Sequence, residues 1–415
     1  MKKKSFSIFL TLVFVAFFSL KLSCQNKTNL PNIASFYNPS LTTLHPKYKL
    51  HNKAEGTSTV YSYIYLPELN FVRLGNNTFE GKIEIKYLFY ESLESTYILD
   101  SASKTVVFQK TNIKESVITY FDVKPPVSKC KLIIITKDLY NSKKSLNIID
   151  IDKENNSEQN FLLMDSETFK PVFTEYVVPN RPYKIKYNKD CDSFLVSKFL
   201  PDTTLAASPF SAINSNYTPK LDSQFYVKKL TDFTITKSGI YSFENTLNNE
   251  NFTIVCFTDQ FPLMTSADEM IPPLKYLCTS KEYKDINVQI NKKLALDNFW
   301  LSTNKEPAIA KSLIKIYYNR VLYTNTKFTS TREGWKTDRG MIYIIFGPPE
   351  VLHIGDNYEE WIYVDGYAGK EVIFTFDRKQ NDYTSNDYVL RRNISFNYYW
   401  KDAVSTWKKG NLYVF

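Results

Sequence analysis

After residue 57, apolar and polar positions alternate along the chain, as is typical of strands with one wet face. Residues 82–90 alternate charged with apolar side chains, and residues 60–66 are rich in Tyr, Val and Ile. Shorter apolar runs, each bounded by polar turn residues, lie at residues 106–108, 117–121 and 132–135. Short strands at such intervals predict a β-sandwich over residues 57–151.

The polar stretch at residues 153–157 is typical of a linker, and a second strand-rich region follows it. Apolar runs recur there at residues 172–173, 183–187, 194–196, 225–227, 233–235, 240–243 and 252–257. Residues 201–221 are polar and carry prolines, which predicts a long loop. The pattern predicts a second β-sandwich over residues 158–260.

The period changes to that of helices after Pro262. Thr279 or Ser280 is suited to cap a helix at residues 281–286, and a second helix is predicted at residues 292–301. Apolar side chains at three- and four-residue steps then predict one face of a helix ending near residue 325, capped by Asn304. The members of that face are Ile309, Leu313, Ile316, Tyr317 and Val321, and Arg320 and Thr324 fall at the same spacing.

The apolar run at residues 341–346 predicts a buried strand that ends at Gly347, Pro348 and Pro349. Two further strands are predicted at residues 360–364 and 371–376, and a helix at residues 399–409. Residues 261–415 are therefore expected to form an α+β domain. The predicted fold is multidomain and mainly β: two N-terminal β-sandwiches, then a C-terminal domain of helices and a small antiparallel sheet.

The densest local pattern is a turn just before that apolar run, and it is the candidate structural or interaction motif. It comprises Gly334, Trp335, Thr337, Asp338, Arg339 and Gly340. The two glycines favour a turn, while Thr337 and Asp338 can bond nearby backbone N–H groups. We expect the Trp335 indole to pack against the helical face of Leu313, Ile316 and Tyr317, beneath a sheet begun by residues 342 and 344. The alternative is an exposed binding platform.

This turn resembles the Gly-Trp-x-Thr-Asp signature of the GWxTD-domain family of bacterial envelope proteins. The following Arg-Gly-x-Ile-Tyr-Ile-x-x-Gly-Pro-Pro is similar to that family as well, as are Phe299-Trp300 and Tyr317-Tyr318 upstream. The resemblance covers roughly residues 261–410 and implies no catalytic residues. The order of helices, Gly-Pro loop and aromatic strands is also similar to small lipoprotein modules that accompany outer-membrane barrel assembly.

The N-terminus predicts an exported protein. Lys2, Lys3 and Lys4 precede an apolar stretch at residues 6–20, which predicts a signal peptide over residues 1–23. Leu22-Ser23-Cys24 resembles a bacterial lipobox, so Cys24 is the candidate lipidation site; ordinary cleavage that leaves Cys24 free is the alternative. Residues 24–56 contain three prolines and are expected to form a flexible tether. We expect a lipid anchor in the outer membrane, on either face.

Net charge and cysteine content bear on possible nucleic-acid partners and on disulfides. The net charge of +9 includes three leader lysines, and the remaining lysines are scattered, so nucleic acid is not an expected partner. Cys130, Cys191, Cys256 and Cys278 are expected to be mainly free buried thiols, with two disulfides as the alternative.

Candidate chemistry is sparse. The three histidines, His45, His51 and His353, match no metal or triad spacing, so no metal and no cofactor is predicted. Carboxylates gather in the last domain at Asp338, Glu359, Glu360, Asp365 and Asp377. Paired carboxylates hydrolyse glycosides, but here turn capping and pairing with Arg339, Arg378, Arg391 or Arg392 are favoured.

The sequence therefore predicts a non-enzymatic lipoprotein with a structural or protein-interaction role. The expected context is an outer-membrane complex for protein assembly or secretion, with the lipid in the membrane and a protein partner beside it. A glycan-binding surface lipoprotein is the alternative. A hydrolase that uses the carboxylates of the last domain is a further one.

Overall fold

The computed structural model describes residues 32–53, 56–75, 78–109, 116–154, 157–212, 217–304, 306–364, 369 and 371–415. The predicted signal peptide, Cys24 and Asp365 lie outside these residues. Within the described ranges, no helix combines the length and the apolar character needed to cross a bilayer. The fold is mainly β, with helices concentrated towards the C-terminus, as predicted.

The first β-sandwich is confirmed. Its strands are β1 (Lys47–Asn52), β2 (Ser58–Tyr65), β3 (Phe71–Arg73), β4 (Phe79–Tyr90), β5 (Ile98–Gln109), β6 (Ser116–Val123), β7 (Lys129–Asp138) and β8 (Lys144–Asp152). One sheet has the order β1-β2-β6; in the other, β4 pairs with β3, β5 and β7, and β7 pairs with β8. Val60, Ile85, Phe89 and Leu132 are buried between the two sheets, because alternate residues of each strand face the other sheet.

The flexible tether predicted for residues 24–56 is wrong from Asn32 onward. β1 is the first strand of a sheet and buries His51, and Ala34–Phe36 forms a 3₁₀ turn. The prolines that suggested a linker alternate with apolar side chains that the fold buries, namely Ile33, Tyr37 and Leu44. The composition of this stretch is typical of an extended chain. In the structure, burial of Ile33, Tyr37 and Leu44 fixes it to the fold.

The second β-sandwich is also confirmed. Its strands are β9 (Phe161–Asp165), β10 (Lys170–Pro171), β11 (Tyr176–Val177), β12 (Pro182–Tyr187), β13 (Ser193–Phe199), β14 (Leu221–Lys228), β15 (Phe233–Thr234), β16 (Gly239–Asn245) and β17 (Glu250–Cys256). They form sheets of order β10-β9-β12-β15 and β11-β17-β16-β13-β14. Phe161, Phe194, Phe243 and Phe252 share the core between them.

The loop predicted after β13 is irregular in its described parts, but it docks on the C-terminal domain. The Ala206 N–H donates to the Lys336 carbonyl (2.9 Å), and the Asn393 N–H donates to the Pro209 carbonyl (3.1 Å). Leu205 and Phe210 pack against the C-terminal core. This loop therefore ties the second sandwich to the segment that carries the motif.

The C-terminal domain begins with helices. They are α1 (Ala267–Met270), α2 (Ser280–Asn287), α3 (Lys292–Thr303) and α4 (Pro307–Lys327). Thr279 caps α2 in a capping box with Glu282, as one of the two predicted alternatives. The prediction that Asn304 caps α4 is wrong: Glu306 is the N-cap residue, and the Asn304 Oδ1 accepts the Glu306 N–H instead.

The strand predicted at residues 341–346 is wrong, because these residues belong to a helix, α5 (Asp338–Phe346). Every residue of α5 is buried. A short apolar run buried on all sides has neither the period of two nor that of 3.6, so its composition alone favoured a strand.

A four-stranded antiparallel sheet and a last helix complete the domain. The strands, in spatial order, are β18 (Val351–Ile354), β19 (Tyr358–Val364), β20 (Glu371–Arg378) and β21 (Tyr388–Leu390), and the helix is α6 (Phe396–Lys408). β19, β20 and α6 were predicted; the short strands β18 and β21 were missed. The cysteines Cys130, Cys191, Cys256 and Cys278 are free; Cys130 and Cys256 are buried and the other two half-buried.

Candidate functional site

Thr337 organises the start of the motif helix. It is the N-cap of α5: its Oγ1 accepts the Gly340 N–H (3.0 Å) and donates to the Gly334 carbonyl (2.7 Å). A threonine hydroxyl at this position satisfies a backbone donor that a helix leaves unpaired. The same side chain therefore closes the turn at Gly334 and opens the helix at Asp338.

We expect Thr337→Ala to lower the free energy of unfolding by about 1–2 kcal/mol, because both bonds of the hydroxyl are lost in a buried site. Ser395→Ala is the matched control, since Ser395 is the N-cap of α6 but makes no side-chain capping bond. Chemical denaturation of the full chain checks both variants. Equal stability of Thr337→Ala and Ser395→Ala would contradict the capping role.

The two motif glycines are required by close backbone packing. A Cβ on Gly334 would lie 1.8 Å from the Thr324 carbonyl oxygen on α4, and a Cβ on Gly340 would lie 1.9 Å from the Gly334 carbonyl oxygen. Real Cβ atoms do not approach so closely. The turn thus fits between α4 and α5 only because both positions lack a side chain.

Trp335 is a core residue, as predicted, with 3% of its surface exposed. Its N–H donates to the Asn325 Oδ1 (3.1 Å), and its carbonyl accepts the Tyr276 hydroxyl (3.0 Å). It lies in the same cluster as Leu313 and Tyr317. The sheet expected above it is instead α5. The indole Nε1 is buried with no hydrogen-bond partner among the described residues, so packing holds this side chain.

Asp338 bonds across the domain rather than with its neighbour Arg339. Its Oδ2 accepts the Leu390 N–H (2.8 Å) and the Arg392 Nη1 (3.0 Å), and its Oδ1 meets the Arg392 Nη2 (2.5 Å). This bidentate pair, about one-tenth exposed on each side, fastens β21 to the first turn of α5.

Arg339 is at the centre of a buried polar network. Its Nη1 donates to the Glu359 Oε1 (2.9 Å) and to the Tyr37 hydroxyl (3.2 Å), and its Nη2 donates to the Asn386 carbonyl (2.9 Å). The Tyr37 hydroxyl and the Trp361 Nε1 also donate to the Glu359 carboxylate. Arg339 and Glu359 are each 2% exposed, so every charge here is compensated inside the protein.

The electrostatics of this network keep its charges fixed. Burial by itself lowers the pKa of Arg339, but the Glu359 carboxylate, Tyr37 and Tyr388 reverse the effect and raise it above its usual value. Burial and Glu359 likewise raise the pKa of Tyr37. The Arg339 guanidinium also stacks on the Tyr388 ring, 3.9 Å from its centroid. With their pKa values raised, the Arg339 guanidinium and the Tyr37 hydroxyl keep their protons near neutral pH.

The far end of α5 is capped by Arg320, a residue of the predicted helical face whose role at this site the sequence did not indicate. Its Nη1 donates to the carbonyls of Ile344 (2.9 Å) and Ile345 (3.1 Å), and its guanidinium lies over the Trp407 ring. Burial lowers the pKa of Arg320 to about 10. Gly347 follows at a φ of +89°, with its carbonyl bonded by the Tyr363 hydroxyl. Pro348 and Pro349 then lead into β18.

The remaining predicted carboxylates do not converge on one point. Asp377 pairs with Arg391 (2.6 Å) on an exposed edge, Glu360 lies 3.9 Å from His353, and Arg378 pairs with Asp150 of β8 (2.8 Å). Across the described ranges, no group of three or more His, Cys, Asp or Glu side chains could hold a metal ion. The favoured arginine partnerships are thus present, though Arg378 draws its partner from the first sandwich.

A cavity of about 300 Å³ lies beside the motif, between the loop after β13 and α1. Its wall includes Trp335, Lys336, Glu333 and Glu269. Glu333 pairs with Lys336, and Glu269 closes the capping box of α1, so both carboxylates are already engaged.

Comparison with known proteins gives one match. Residues 239–409 match the family model of the GWxTD domain. The match begins at the first residue of β16, so it adds the last two strands of the second sandwich to the resemblance read from residue 261. No match to the chain was found among curated proteins.

Proposed function

Because the C-terminal part of this chain is a GWxTD domain, we propose that the protein is an envelope lipoprotein whose role is structural or interactive. It acts as a non-enzymatic subunit of an outer-membrane complex that handles protein assembly or secretion. Its anchor is a lipid on Cys24, and its partner is another protein of that membrane.

The observation that supports this proposal is that the polar side chains of the motif form their hydrogen bonds inside the protein. The side chains of Thr337, Asp338 and Arg339 all bond to groups of the same domain. Reactive groups of enzymes have to face a substrate, whereas these groups join the turn at Gly334, α5, β19 and β21. The motif therefore supports a rigid framework, and the surface around that framework is what remains for partners.

The contacts of the described carboxylates give no support to the hydrolase alternative. The cavity beside the motif holds two carboxylates, each with a partner, and Glu359 lies in the buried network. A glycoside hydrolase needs two carboxyl groups that flank an accessible bond.

A glycan-binding role would be supported by coplanar exposed aromatic rings on a sandwich face. Tyr120 is exposed on β6, beside Tyr61 on β2, with ring centroids 6.1 Å apart. Their planes are tilted by 46° to each other, so this pair does not form a flat platform for a sugar. The protein-interaction role is therefore preferred.

Lipidation and partner capture test the proposal together. Cells that express the full chain are fed a fatty-acid probe; we expect label on the wild type and none on Cys24→Ser. A mild-detergent pull-down of the labelled wild type should then retain a defined outer-membrane protein that Cys24→Ser captures poorly, because the variant is not held at the membrane. Cys130→Ser, which changes a buried cysteine, should keep its label.

Equal labelling of wild type and Cys24→Ser would refute the lipid anchor. Labelled protein that brings down only itself would refute the role as a subunit of a complex.

A further inference from the structure

Four exposed apolar side chains lie in the turn between α2 and α3 or on α3 itself. Ile290 is 100% exposed, Val288 64%, Leu294 54% and Leu301 44%. Leu294 and Leu301 are two helical turns apart and so share the outer side of α3, roughly opposite the buried Leu296. We call Val288, Ile290, Leu294 and Leu301 the α2–α3 face. Grouped exposed apolar side chains of this kind mark contact surfaces.

Basic side chains lie on α2 and on α4, which packs against α3. Lys281 and Lys284 on α2, and Lys311 and Lys315 on α4, are exposed and have no carboxylate partner among the described residues. Two of the three carboxylates on α2 and α3 are already paired, Glu282 with Lys408 and Asp297 with Lys293. Exposed apolar side chains beside lysines without a carboxylate partner complement a surface that has an apolar layer beneath negatively charged groups.

The proposed lipid anchor brings the same domain near the bilayer, and this step rests on the proposed function. Asn32 and Ile33 are fixed to the C-terminal domain: the Ile33 N–H donates to the Leu352 carbonyl (3.0 Å), and the Asn32 Nδ2 donates to the Glu350 carbonyl (3.2 Å). Cys24 precedes Asn32 by only eight positions. A chain of that length spans at most about 29 Å in any conformation.

We propose that the α2–α3 face is a membrane-contact site that rests on a bilayer containing anionic phospholipids. Val288, Ile290, Leu294 and Leu301 enter the boundary between headgroups and acyl chains. The lysines of α2 and α4 lie over the phosphate groups. The GWxTD domain is then the part of the protein next to the membrane, and the two sandwiches extend from it.

Vesicle binding of a protein without lipid tests this contact separately from the anchor. The chain from residue 24 onward, carrying Cys24→Ser, is mixed with vesicles of phosphatidylcholine alone or with added phosphatidylglycerol. We expect binding to the anionic vesicles that weakens as salt rises from about 0.1 M to about 1 M, because screening shortens the reach of the lysine charges. Ile290→Ser with Leu294→Ser should lower the partition coefficient at least about tenfold.

Leu247→Ser is the matched control, because Leu247 is 80% exposed on the turn between β16 and β17 of the second sandwich. It should bind like the parent, and thermal denaturation should show all variants folded. Three results would overturn the proposal: no binding to anionic vesicles, equal loss in the Leu247→Ser control, or a dimer in solution that the Ile290→Ser and Leu294→Ser changes dissociate. The last would assign the face to a second copy of the chain. Fatty-acid labelling at Cys24 is unaffected by any of these outcomes.

Discussion

Replacing Gly340 with alanine should destabilise the C-terminal domain by about 3 kcal/mol or more. This is at or above the largest cost that an oversized side chain usually has in a packed core. The added Cβ would lie 1.9 Å from the Gly334 carbonyl oxygen and 3.0 Å from the Trp335 Cα. Both obstacles are backbone atoms of the turn, so no side chain can rotate away to relieve the contact. Relief requires α5 to move away from this turn, which opens the core around Trp335.

Thermal and chemical denaturation of the full chain measure this effect, with Gly75→Ala as the matched control. A Cβ on Gly75 meets no atom within 4 Å, and the position lies in the first sandwich. The control should unfold like the wild type. Equal behaviour of the two variants would mean that the turn between α4 and α5 is looser than its packing implies.

Glu359→Gln should destabilise the protein by about 3–5 kcal/mol, the typical cost of leaving one member of a buried ion pair without its partner. The amide keeps the size of the side chain but removes the charge that compensates Arg339, which is 2% exposed. It also confronts the Tyr37 hydroxyl and the Trp361 Nε1, both donors, with a group that has lost one of its acceptor oxygens.

The matched control is Asp377→Asn, whose partner Arg391 is 61% exposed. Loss of an exposed pair should cost less than about 1 kcal/mol. The double variant Arg339→Met with Glu359→Leu should be more stable than Glu359→Gln alone, because it leaves no charge unpaired in the core. A Glu359→Gln protein as stable as Asp377→Asn would show that the network contributes little.

Sequence patterns correctly predicted the strands and helices that are buried on one side only or whose caps lie nearby in the sequence. The sandwich strands alternate because one face of each sheet is wet, and residues 82–90 show this directly within β4. α2 was found from its cap and α4 from its three- to four-residue spacing, both of which nearby residues determine. In both cases burial on one side leaves a period in the sequence.

The failures share a different cause. α5 is buried all round, so its residues carry no period, and the capping role of Thr337 was seen only as turn chemistry. Tyr37 bonds to Glu359 across 322 positions, and the Asn386 carbonyl accepts a bond from Arg339, 47 residues away. Such partners depend on the tertiary fold. A single sequence therefore indicated that the motif matters without indicating what its charges touch.

We propose that the charges of the motif serve the fold and neither a reaction nor a ligand. This proposal is tested most directly by measuring stability and partner capture on the same preparation of Glu359→Gln. We expect Glu359→Gln to have a lower denaturation midpoint than the wild type. At temperatures where the variant remains folded, it should capture as much partner per folded molecule as the wild type does. A variant that unfolds at the wild-type midpoint but no longer captures the partner would contradict the proposal.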